Sequence, residues 1–190
     1  MKKIIAIVLV VVVAAVAVFA LTGNKTPDAS NDTAAYADAT EVLTTIFGAY
    51  AEENKFPVAG GDEANMSFEG PAKYDYTLAD ELNVVAKLPA SQAANIEDAA
   101  TAMHAMNANS FTGAAYKLAD GADAAAFAED FKAELDTARW MCGFPEKFVV
   151  VKTGSYIVTA YGVADIMDYF KTTVSAIDGV EVVLEGDIAA

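Results

Sequence analysis

The stretch of this chain that most restricts its fold is residues 110–185, where strand-like and helix-like hydrophobic patterns alternate in a fixed order. The pattern predicts a strand at 111–118, a helix ending near 143, strands at 148–152 and 156–161, a helix at 164–177 and a strand at 180–184. This β-α-β-β-α-β order is typical of the ferredoxin-like sandwich. We therefore predict an α+β fold in which two helices cover one face of a four-stranded sheet.

Turn and capping residues mark the boundaries of these elements. Gly154 lies between two of the predicted strands, and glycine supplies the positive φ that a tight hairpin requires. Asp120 is predicted to cap the first helix, whereas Gly143 and Pro145 are predicted to end it. The buried face of that helix is marked by apolar residues at helical spacing, namely Ala124, Phe127, Ala128, Phe131, Leu135, Ala138 and Cys142.

Side chains of the predicted hairpin alternate between the two faces of the sheet. One face is expected to hold Tyr156, Val158 and Ala160, and the other Ile157, Thr159 and Tyr161. Both sets are apolar or aromatic, whereas the helices of a ferredoxin-like sandwich cover only one face. We therefore expect the second face to contact the N-terminal helices or a partner.

The residues before this unit are predicted to be helical over the range 34–107. Residues 34–54 carry apolar side chains at helical spacing, and Phe56 and Pro57 end that pattern. Residues 91–107 show a second helical pattern of alanine, isoleucine and methionine. The N-terminal half of the domain is therefore expected to pack as helices against the sheet.

A long loop is predicted at residues 58–75, which contain three glycines and a proline. Loops of this length inside a compact domain are often functional. Asp62, Glu63 and Glu69 are candidate cation ligands there, and we include them in the candidate binding surface. They lack the alternating spacing of a calcium-binding hand, so no metal site is assigned.

The N-terminus carries a long apolar segment. Two lysines precede 18 consecutive apolar residues at 4–21, enough to cross a hydrocarbon layer about 30 Å thick. Because the apolar core of a signal peptide has only about 7–15 residues, we predict that residues 1–21 form a membrane anchor, with secretion after cleavage as the alternative. The lysines keep that end in the cytoplasm. Residues 22–33 are then a flexible tether to an extracytoplasmic domain at 34–190.

Charge and cysteine content restrict the partners of the exported part. After residue 21 the chain holds ten Lys or Arg and 27 Asp or Glu, a net charge of −17. Such a charge repels nucleic acid and anionic head groups, so nucleic-acid binding is not expected. Cys142 is the only cysteine, so no intramolecular disulfide forms. No cysteine stands directly after the apolar run, so the usual lipid attachment of a lipoprotein is not expected. We expect the Cys142 thiol to be buried, and an exposed thiol that dimerises the protein is the alternative.

The segment from residue 122 to 162 resembles a known family. An acidic helix with the sequence ARWMCG at 138–143 is followed by Pro145, a valine-rich strand, the sequence GSY at 154–156 and the sequence YG at 161–162. This pattern is similar to the family called domain of unknown function (DUF) 4358, and the likeness covers residues 107–174. The resemblance implies an exported protein of the bacterial envelope, often a lipoprotein, and supplies no catalytic residues.

We expect the function of a membrane-tethered or secreted binding or accessory module of the bacterial envelope, with an envelope protein as its partner. The aromatic residues Trp140, Phe144, Tyr156 and Tyr161 are candidates for the binding surface, since aromatic faces stack on sugar rings; core packing is the competing interpretation. An envelope hydrolase is the alternative function, because paired carboxylates can perform acid–base catalysis.

The lone histidine, His104, is expected to be structural, and the alternative pairs it with Cys142 as imidazole and thiol. No nucleophile elbow, zinc-binding helix or phosphate-binding loop occurs in the sequence. No catalytic, cofactor or metal site is therefore assigned, and the oligomeric state is left open.

Overall fold

The computed structural model of this chain describes residues 36–141 and 143–189. The compact unit Asp32–Ala190 is an α+β domain built on one antiparallel sheet, which confirms the predicted fold class. No helix within the described ranges is both long and apolar enough to cross a membrane. The apolar run at 4–21, the whole tether at 22–33 and Cys142 lie outside the described residues.

Helices and strands alternate along the described chain. The α-helices are α1 (Ala39–Gly48), α2 (Ala79–Ala86), α3 (Ala124–Thr137) and α4 (Ala164–Ser175), and 3-10 turns occupy Glu52–Asn54, Ala90–Asn95 and Ala108–Ser110. The strands are β1 (Val58–Ala59), β2 (Ala72–Tyr74), β3 (Ile96–His104), β4 (Phe111–Leu118), β5 (Lys147–Thr153), β6 (Tyr156–Gly162) and β7 (Val180–Asp187).

The sheet has the strand order β1-β3-β4-β6-β5-β7, and β2 also pairs with β3, next to β1. Every one of these pairs is antiparallel. The last four strands and two helices keep the predicted β-α-β-β-α-β order along the chain. Their order across the sheet, however, is not that of a ferredoxin-like sandwich, in which the last strand lies beside the first.

In this chain the place beside β4 is taken by β3, and β7 pairs instead with β5 at the opposite edge. Both helical connections therefore step across the sheet in the same direction, from β4 to β5 and from β6 to β7. The two starting strands, β4 and β6, run antiparallel to each other. Since such crossovers are right-handed in nearly all proteins, α3 and α4 must lie on opposite faces.

The packing agrees with this rule, and it corrects the prediction that both helices cover one face. We call the face under α1 and α4 the first face; its core includes Phe111 and Phe170. The face under α2 and α3 is the second face, and its core includes Phe127 and Phe131. Each face thus receives one helix from each half of the domain. Fully burying one such ring contributes roughly 1.5–3 kcal/mol.

The hairpin of β5 and β6 forms as predicted. Thr153 pairs with Tyr156, and the turn between them contains Gly154 at φ 56°, a conformation that glycine adopts without steric cost. Tyr156 and Val158 belong to the core of the first face, and Ile157 belongs to that of the second. The predicted alternation of side chains is therefore confirmed.

The prediction of a helical region at 34–107 is wrong for its last part, because residues 96–104 form the nine-residue strand β3. This strand lies inside the sheet between β4 on one side and β1 and β2 on the other. Ala99, Ala100 and Ala102 are fully buried. Alanine favours helices, but small side chains also suit a strand that is covered on both faces. Pairing with β4 therefore decides that residues 96–104 form a strand and not a helix.

The boundaries of α3 also differ from the predicted ones. Asp123, not Asp120, caps the helix by accepting hydrogen bonds from the amides of Ala125 and Ala126. Asp120 lies in the preceding turn, where Gly121 has φ 82°. The helix ends at Thr137 instead of near residue 143. Residues 138–141 lie outside regular structure.

Candidate functional site

The four aromatic residues predicted for a binding surface do not lie together. Tyr156 is buried in the core of the first face, where its ring meets Tyr36 edge-on at 6.1 Å. Tyr161 is 3% exposed and belongs to the core of the second face. Trp140 packs against Tyr161 with ring centroids 5.3 Å apart. Phe144 is 65% exposed.

Tyr161 has the environment of a core residue. Its hydroxyl donates a hydrogen bond to the carbonyl of Val85 at 3.3 Å. Burial raises the pKa of Tyr161 to about 12, so its hydroxyl stays protonated at neutral pH. The Lys87 ammonium lies 5.5 Å from the ring centre of Trp140, within the range of a cation–π contact. The Trp140 ring thus covers the edge of the core on the second face.

Phe144 shares one end of the sheet with two exposed methionines. Met106 is 82% exposed and Met141 is 81% exposed. The Asn109 side-chain amide ties their loops together by donating to the carbonyls of Met141 at 2.8 Å and Gly143 at 3.0 Å. This end carries apolar side chains in water, and they project from loops.

The carboxylate of Asp62 serves the fold of its own loop. The side chain is 4% exposed and accepts hydrogen bonds from the amides of Ala64, Asn65 and Asp75 and from the Asn65 side chain. Burial opposes ionisation of Asp62, but these hydrogen bonds outweigh it and hold the pKa below the ordinary value. Both of its oxygens are therefore occupied by internal donors.

The other two predicted loop carboxylates lie apart from each other. Glu63 lines a shallow acidic depression of about 490 Å³ together with Asp62, Asp75 and Glu81. Glu69 lines a different groove. Within the described residues, no group of three or more histidine, cysteine, aspartate or glutamate side chains is arranged to hold a metal ion.

His104 is placed as a structural residue. It lies at the end of β3, where its ring stacks on Phe56 with centroids 5.1 Å apart. Its Nδ1 accepts a hydrogen bond from the amide of Met106 at 3.2 Å, so that nitrogen is not free for proton transfer.

The arrangement best suited to hold a ligand is a small aromatic cavity beside the first face. Its lining comes from the segment that follows α1, which includes the 3-10 turn, and from the first turns of α4. The lining residues are Tyr50, Glu53, Asn54, Lys55, Phe56, Asp165, Ile166 and Tyr169. The volume is about 280 Å³, near the lower end of the roughly 300–1,000 Å³ typical of small-molecule sites. We call it the aromatic cavity.

Three rings form the apolar wall of the aromatic cavity. The ring of Tyr50 lies 4.9 Å from that of Tyr169 at 66° and 6.1 Å from that of Phe56 at 78°. The rings thus meet at steep angles and form a corner instead of a flat stack. Phe56 and Tyr169 are half-buried, so parts of both remain available to a ligand.

Hydrogen bonds and packing hold this corner in place. The hydroxyl of Tyr169 accepts a hydrogen bond from the amide of Ala51 at 3.2 Å, which links α4 to the segment after α1. Phe56 also packs on Phe111 at 5.4 Å, in the core of the first face. The aromatic wall is therefore an extension of the core, which pre-organises it for binding.

Tyr50 is the most buried side chain of the wall, at 5% exposure. Its hydroxyl is shielded from solvent and has no hydrogen-bond partner within the described residues. Burial, with a contribution from Tyr169, raises the pKa of Tyr50, so the group remains a neutral hydroxyl. A buried polar group without a partner costs free energy, commonly about 1–3 kcal/mol.

A second groove continues from the aromatic cavity, because Lys55 and Phe56 line both. It has a volume of about 370 Å³ and is lined mainly by apolar groups, including Phe47, Pro57 and Pro71. Phe68 stands at this groove with 75% of its surface exposed. The two volumes together form an aromatic surface that runs from α4 to the loop of Asp62.

Sequence reasoning missed the aromatic cavity. Tyr50 belongs to the apolar pattern of residues 34–54, which predicts a helix and no cavity, and Tyr169 lies on the last helix. The contact of Tyr169 with Ala51 spans 118 residues of chain. The sequence contains one signal that could have indicated the cavity. Three aromatic residues, Phe47, Tyr50 and Phe56, lie close together in the chain, more than the buried face of one short helix requires.

Comparisons of the chain with protein-family models, with curated proteins and with solved structures found no match.

Proposed function

We propose that this chain is an exported, membrane-tethered binding module of the bacterial envelope, and that the aromatic cavity contacts its ligand. The cavity carries the proposal: a rigid aromatic wall is combined with the carboxylates of Glu53 and Asp165 and the amide of Asn54. Apolar walls with a few polar groups are typical of small-ligand sites. The same proposal includes a relationship to the DUF4358 family, which is supported by the sequence resemblance at residues 107–174.

The location rests on the N-terminal sequence. The 18-residue apolar run after two lysines supports a single-pass anchor with the domain outside the membrane, and secretion after cleavage is the alternative. The high negative charge of the exported part supports solubility there. In an envelope system the module would present its ligand to an envelope protein partner.

A second candidate function is hydrolysis of envelope material. Glu53 and Asp165 line the same cavity from different elements, and two carboxylates facing one ligand can act as acid and base. Glu53→Gln and Asp165→Asn should each abolish hydrolysis of purified cell-wall glycan if this candidate is right. Activity equal to that of the parent in both variants would rule out catalysis by this pair.

The binding proposal can be tested without knowing the ligand. The full-length protein with a photo-crosslinking benzoylphenylalanine in place of Asn54, an exposed residue at the cavity, is expressed in cells and irradiated. We expect a discrete adduct with an envelope component, which mass spectrometry assigns to the cavity. Protease added to intact cells should digest the domain.

The matched control carries the same crosslinker at Glu129, which is exposed on α3 over the second face. It should give no such adduct. Equal adducts from both positions, or no adduct from position 54, would contradict the proposal that the cavity binds a ligand. Protection of the domain from protease in intact cells would contradict the export.

A further inference from the structure

We propose that the free edge of β7 binds an extended, basic segment of a partner protein, which adds to the sheet as one more strand. β7 pairs with β5 on one side, and on its other side no strand of the described chain pairs with it. A strand with an unpaired row of amides and carbonyls is a template for pairing with another chain. We call this surface the β7 edge.

The two edges of the sheet differ in length. At one edge, β1 and β2 hold two and three residues, and such short strands offer little to an added strand. β7 has eight residues, Val180–Asp187, and each of them is at least partly exposed. The β7 edge is therefore the side on which this sheet can accept a further strand.

The register with β5 identifies the backbone groups that an added strand would meet. The amide of Ile188 donates to the carbonyl of Glu146, on the β5 side, at 2.8 Å. Because backbone groups alternate in direction along an antiparallel strand, those of Asp187 and Glu185 point away from β5. A shift in the register lies just before Leu184 and interrupts the outer row there. The regular part of the free row is therefore the C-terminal end of β7.

A cavity of about 210 Å³ adjoins these backbone groups on the first face. It is lined by α4 and by the ends of β5 and β7, and Val149 and Met167 contribute apolar walls. Glu185 pairs with Val149, which belongs to the core of the first face, so both side chains lie on that face. A residue added opposite Glu185 would place its side chain on the same face, beside the cavity. Strand addition commonly combines main-chain pairing with such side-chain pockets.

The charges around this cavity favour a basic segment. Three carboxylates line it, Asp168, Glu185 and Asp187, against the two ammonium groups of Lys147 and Lys171. Lys147 donates to both oxygens of Asp168 at 2.6 and 2.8 Å, and Lys171 donates to Glu185 at 2.7 Å. Asp187 is exposed and forms no salt bridge within the described residues. A lysine or arginine opposite Asp187 would supply the missing positive charge.

The same charges disfavour a second copy of this chain as the occupant. If two copies paired along the regular part of their β7 edges, Glu185 and Asp187 of one copy would face the same carboxylates of the other. Like charges directly opposite each other destabilise a pair of strands. The acidic edge thus excludes copies of this chain, whereas it suits a strand with basic residues two positions apart.

Three synthetic peptides test the proposal by calorimetry on the full-length protein in nanodiscs of phosphatidylcholine, a lipid without net charge. The first alternates threonine with lysine, and the second has glutamate in place of lysine. The third is the first with its lysine amides methylated, which removes the donors that would face Glu185 and Asp187 but keeps the charge. The first peptide should bind, and the other two should bind at least roughly tenfold more weakly.

Amide hydrogen exchange locates the bound peptide. In the free protein the outward amides of Glu185 and Asp187 should exchange rapidly, because they point to solvent. The basic peptide should protect both amides, as measured by mass spectrometry of the C-terminal fragment.

Two substitutions at one position separate charge from backbone pairing. Asp187→Asn removes the charge but keeps the amide, and should weaken binding of the basic peptide several-fold. Asp187→Pro also removes the amide, and should weaken binding at least roughly tenfold. Proline is tolerated there because this amide points away from β5. The control Glu129→Gln removes an exposed charge over the second face and should leave the affinity unchanged. Thermal melting checks that each variant is folded, and the methylated peptide needs no variant.

Each contrary result overturns a defined part of the proposal. Equal binding of the basic peptide and its methylated form, or equal binding by the parent and Asp187→Pro, would overturn strand addition. Equal binding of the basic and acidic peptides would overturn the charge assignment. Protection of the Glu185 and Asp187 amides before any peptide is added would show that a second copy or residues 22–35 already occupy the edge, and would overturn the proposal of a basic partner.

The β7 edge is tested separately from the proposed function. The cavity beside it and the aromatic cavity have no lining residue in common. Failure of the peptides to bind at the β7 edge would therefore leave the crosslink from position 54 unaffected, and loss of that crosslink would leave the binding of the basic peptide unaffected.

Discussion

Asp62→Asn should destabilise the domain although it preserves the shape of the side chain. One carboxylate oxygen of Asp62 accepts a hydrogen bond from the amide of Asp75 at 2.6 Å, and the other accepts from the amides of Ala64 at 2.8 Å and Asn65 at 2.9 Å. In asparagine one of the two oxygens becomes an NH₂ group, which cannot accept. At least one backbone donor is then left unpaired.

The size of the effect follows from the number of donors that lose an acceptor. A hydrogen bond to a charged group contributes about 1.5–3 kcal/mol, and an unsatisfied buried donor costs about 1–3 kcal/mol. Asp62→Asn should therefore lower the free energy of unfolding by about 2–3 kcal/mol. Asp62→Ala removes every acceptor and should lower it by about 3–5 kcal/mol.

The pH dependence gives an independent check. Hydrogen bonds hold the pKa of Asp62 below its ordinary value in the folded state, and the unfolded value is about 3.9. Below that value the unfolded chain binds more protons, so the contribution of Asp62 is complete above about pH 4 and is lost as the pH falls through the folded pKa. The difference between parent and Asp62→Asn should shrink on acidification.

Urea unfolding of parent and variants at pH 7 and at stepwise lower pH measures both effects as a shift of the midpoint. Asp178→Asn is the control, because Asp178 is exposed and has no side-chain hydrogen bond within the described residues. It should change the midpoint little. A midpoint for Asp62→Asn equal to that of the parent at pH 7 would refute the reasoning, since it would mean that the buried carboxylate contributes nothing.

Two further substitutions test the core and the sheet. Phe131 is fully buried near Tyr161, so Phe131→Ala should lower the free energy of unfolding by about 3–5 kcal/mol. Phe131→Asp should abolish the cooperative thermal transition. A normal melting curve for the aspartate variant would contradict the placement of Phe131 in the core. Gly60→Ala would bring a methyl group to 2.2 Å from the carbonyl of Thr101 and should lower stability by about 1–3 kcal/mol by calorimetry, whereas Gly48→Ala, with nothing within 4 Å, should not.

The C-terminal half could be predicted well because its signals are local. The boundaries of β4 match the expected strand at 111–118, and α4 begins at the predicted residue, Ala164. The Gly154 turn and the alternation of β5 and β6 needed only the period of the hydrophobic pattern. Each of these signals is contained in fewer than about a dozen consecutive residues, so no distant contact could override it.

The strand β3 shows where such reasoning fails. Its buried alanines satisfy a helical period and a strand period equally, because a small apolar residue fits either surface. Hydrogen bonds to β4, β1 and β2 resolve the ambiguity, and those partners lie elsewhere in the sequence. Once β3 pairs with β4, the last strand has to join the sheet at β5, and the ferredoxin-like order can no longer form.

The candidate site shows the same division. The sequence made Asp62 a candidate cation ligand, but only the structure revealed that its oxygens accept hydrogen bonds from the amides of its own loop. The aromatic cavity was hidden because its walls come from the segment after α1 and from α4, which meet only after the sheet has formed. Ala51 and Tyr169 are 118 residues apart. Their contact produces no hydrophobic pattern in the sequence around either residue, so it cannot be predicted from short-range periodicity.

By itself, the sequence determined the class of the fold, the elements of its second half and the apolar N-terminal run, since these depend on composition and on short-range periodicity. The tertiary structure alone decided which strand lies beside β4, which face each helix covers and where an aromatic corner meets two carboxylates. The physical reason is that hydrogen-bond pairing and side-chain packing choose among locally equivalent options by the contacts that distant segments supply.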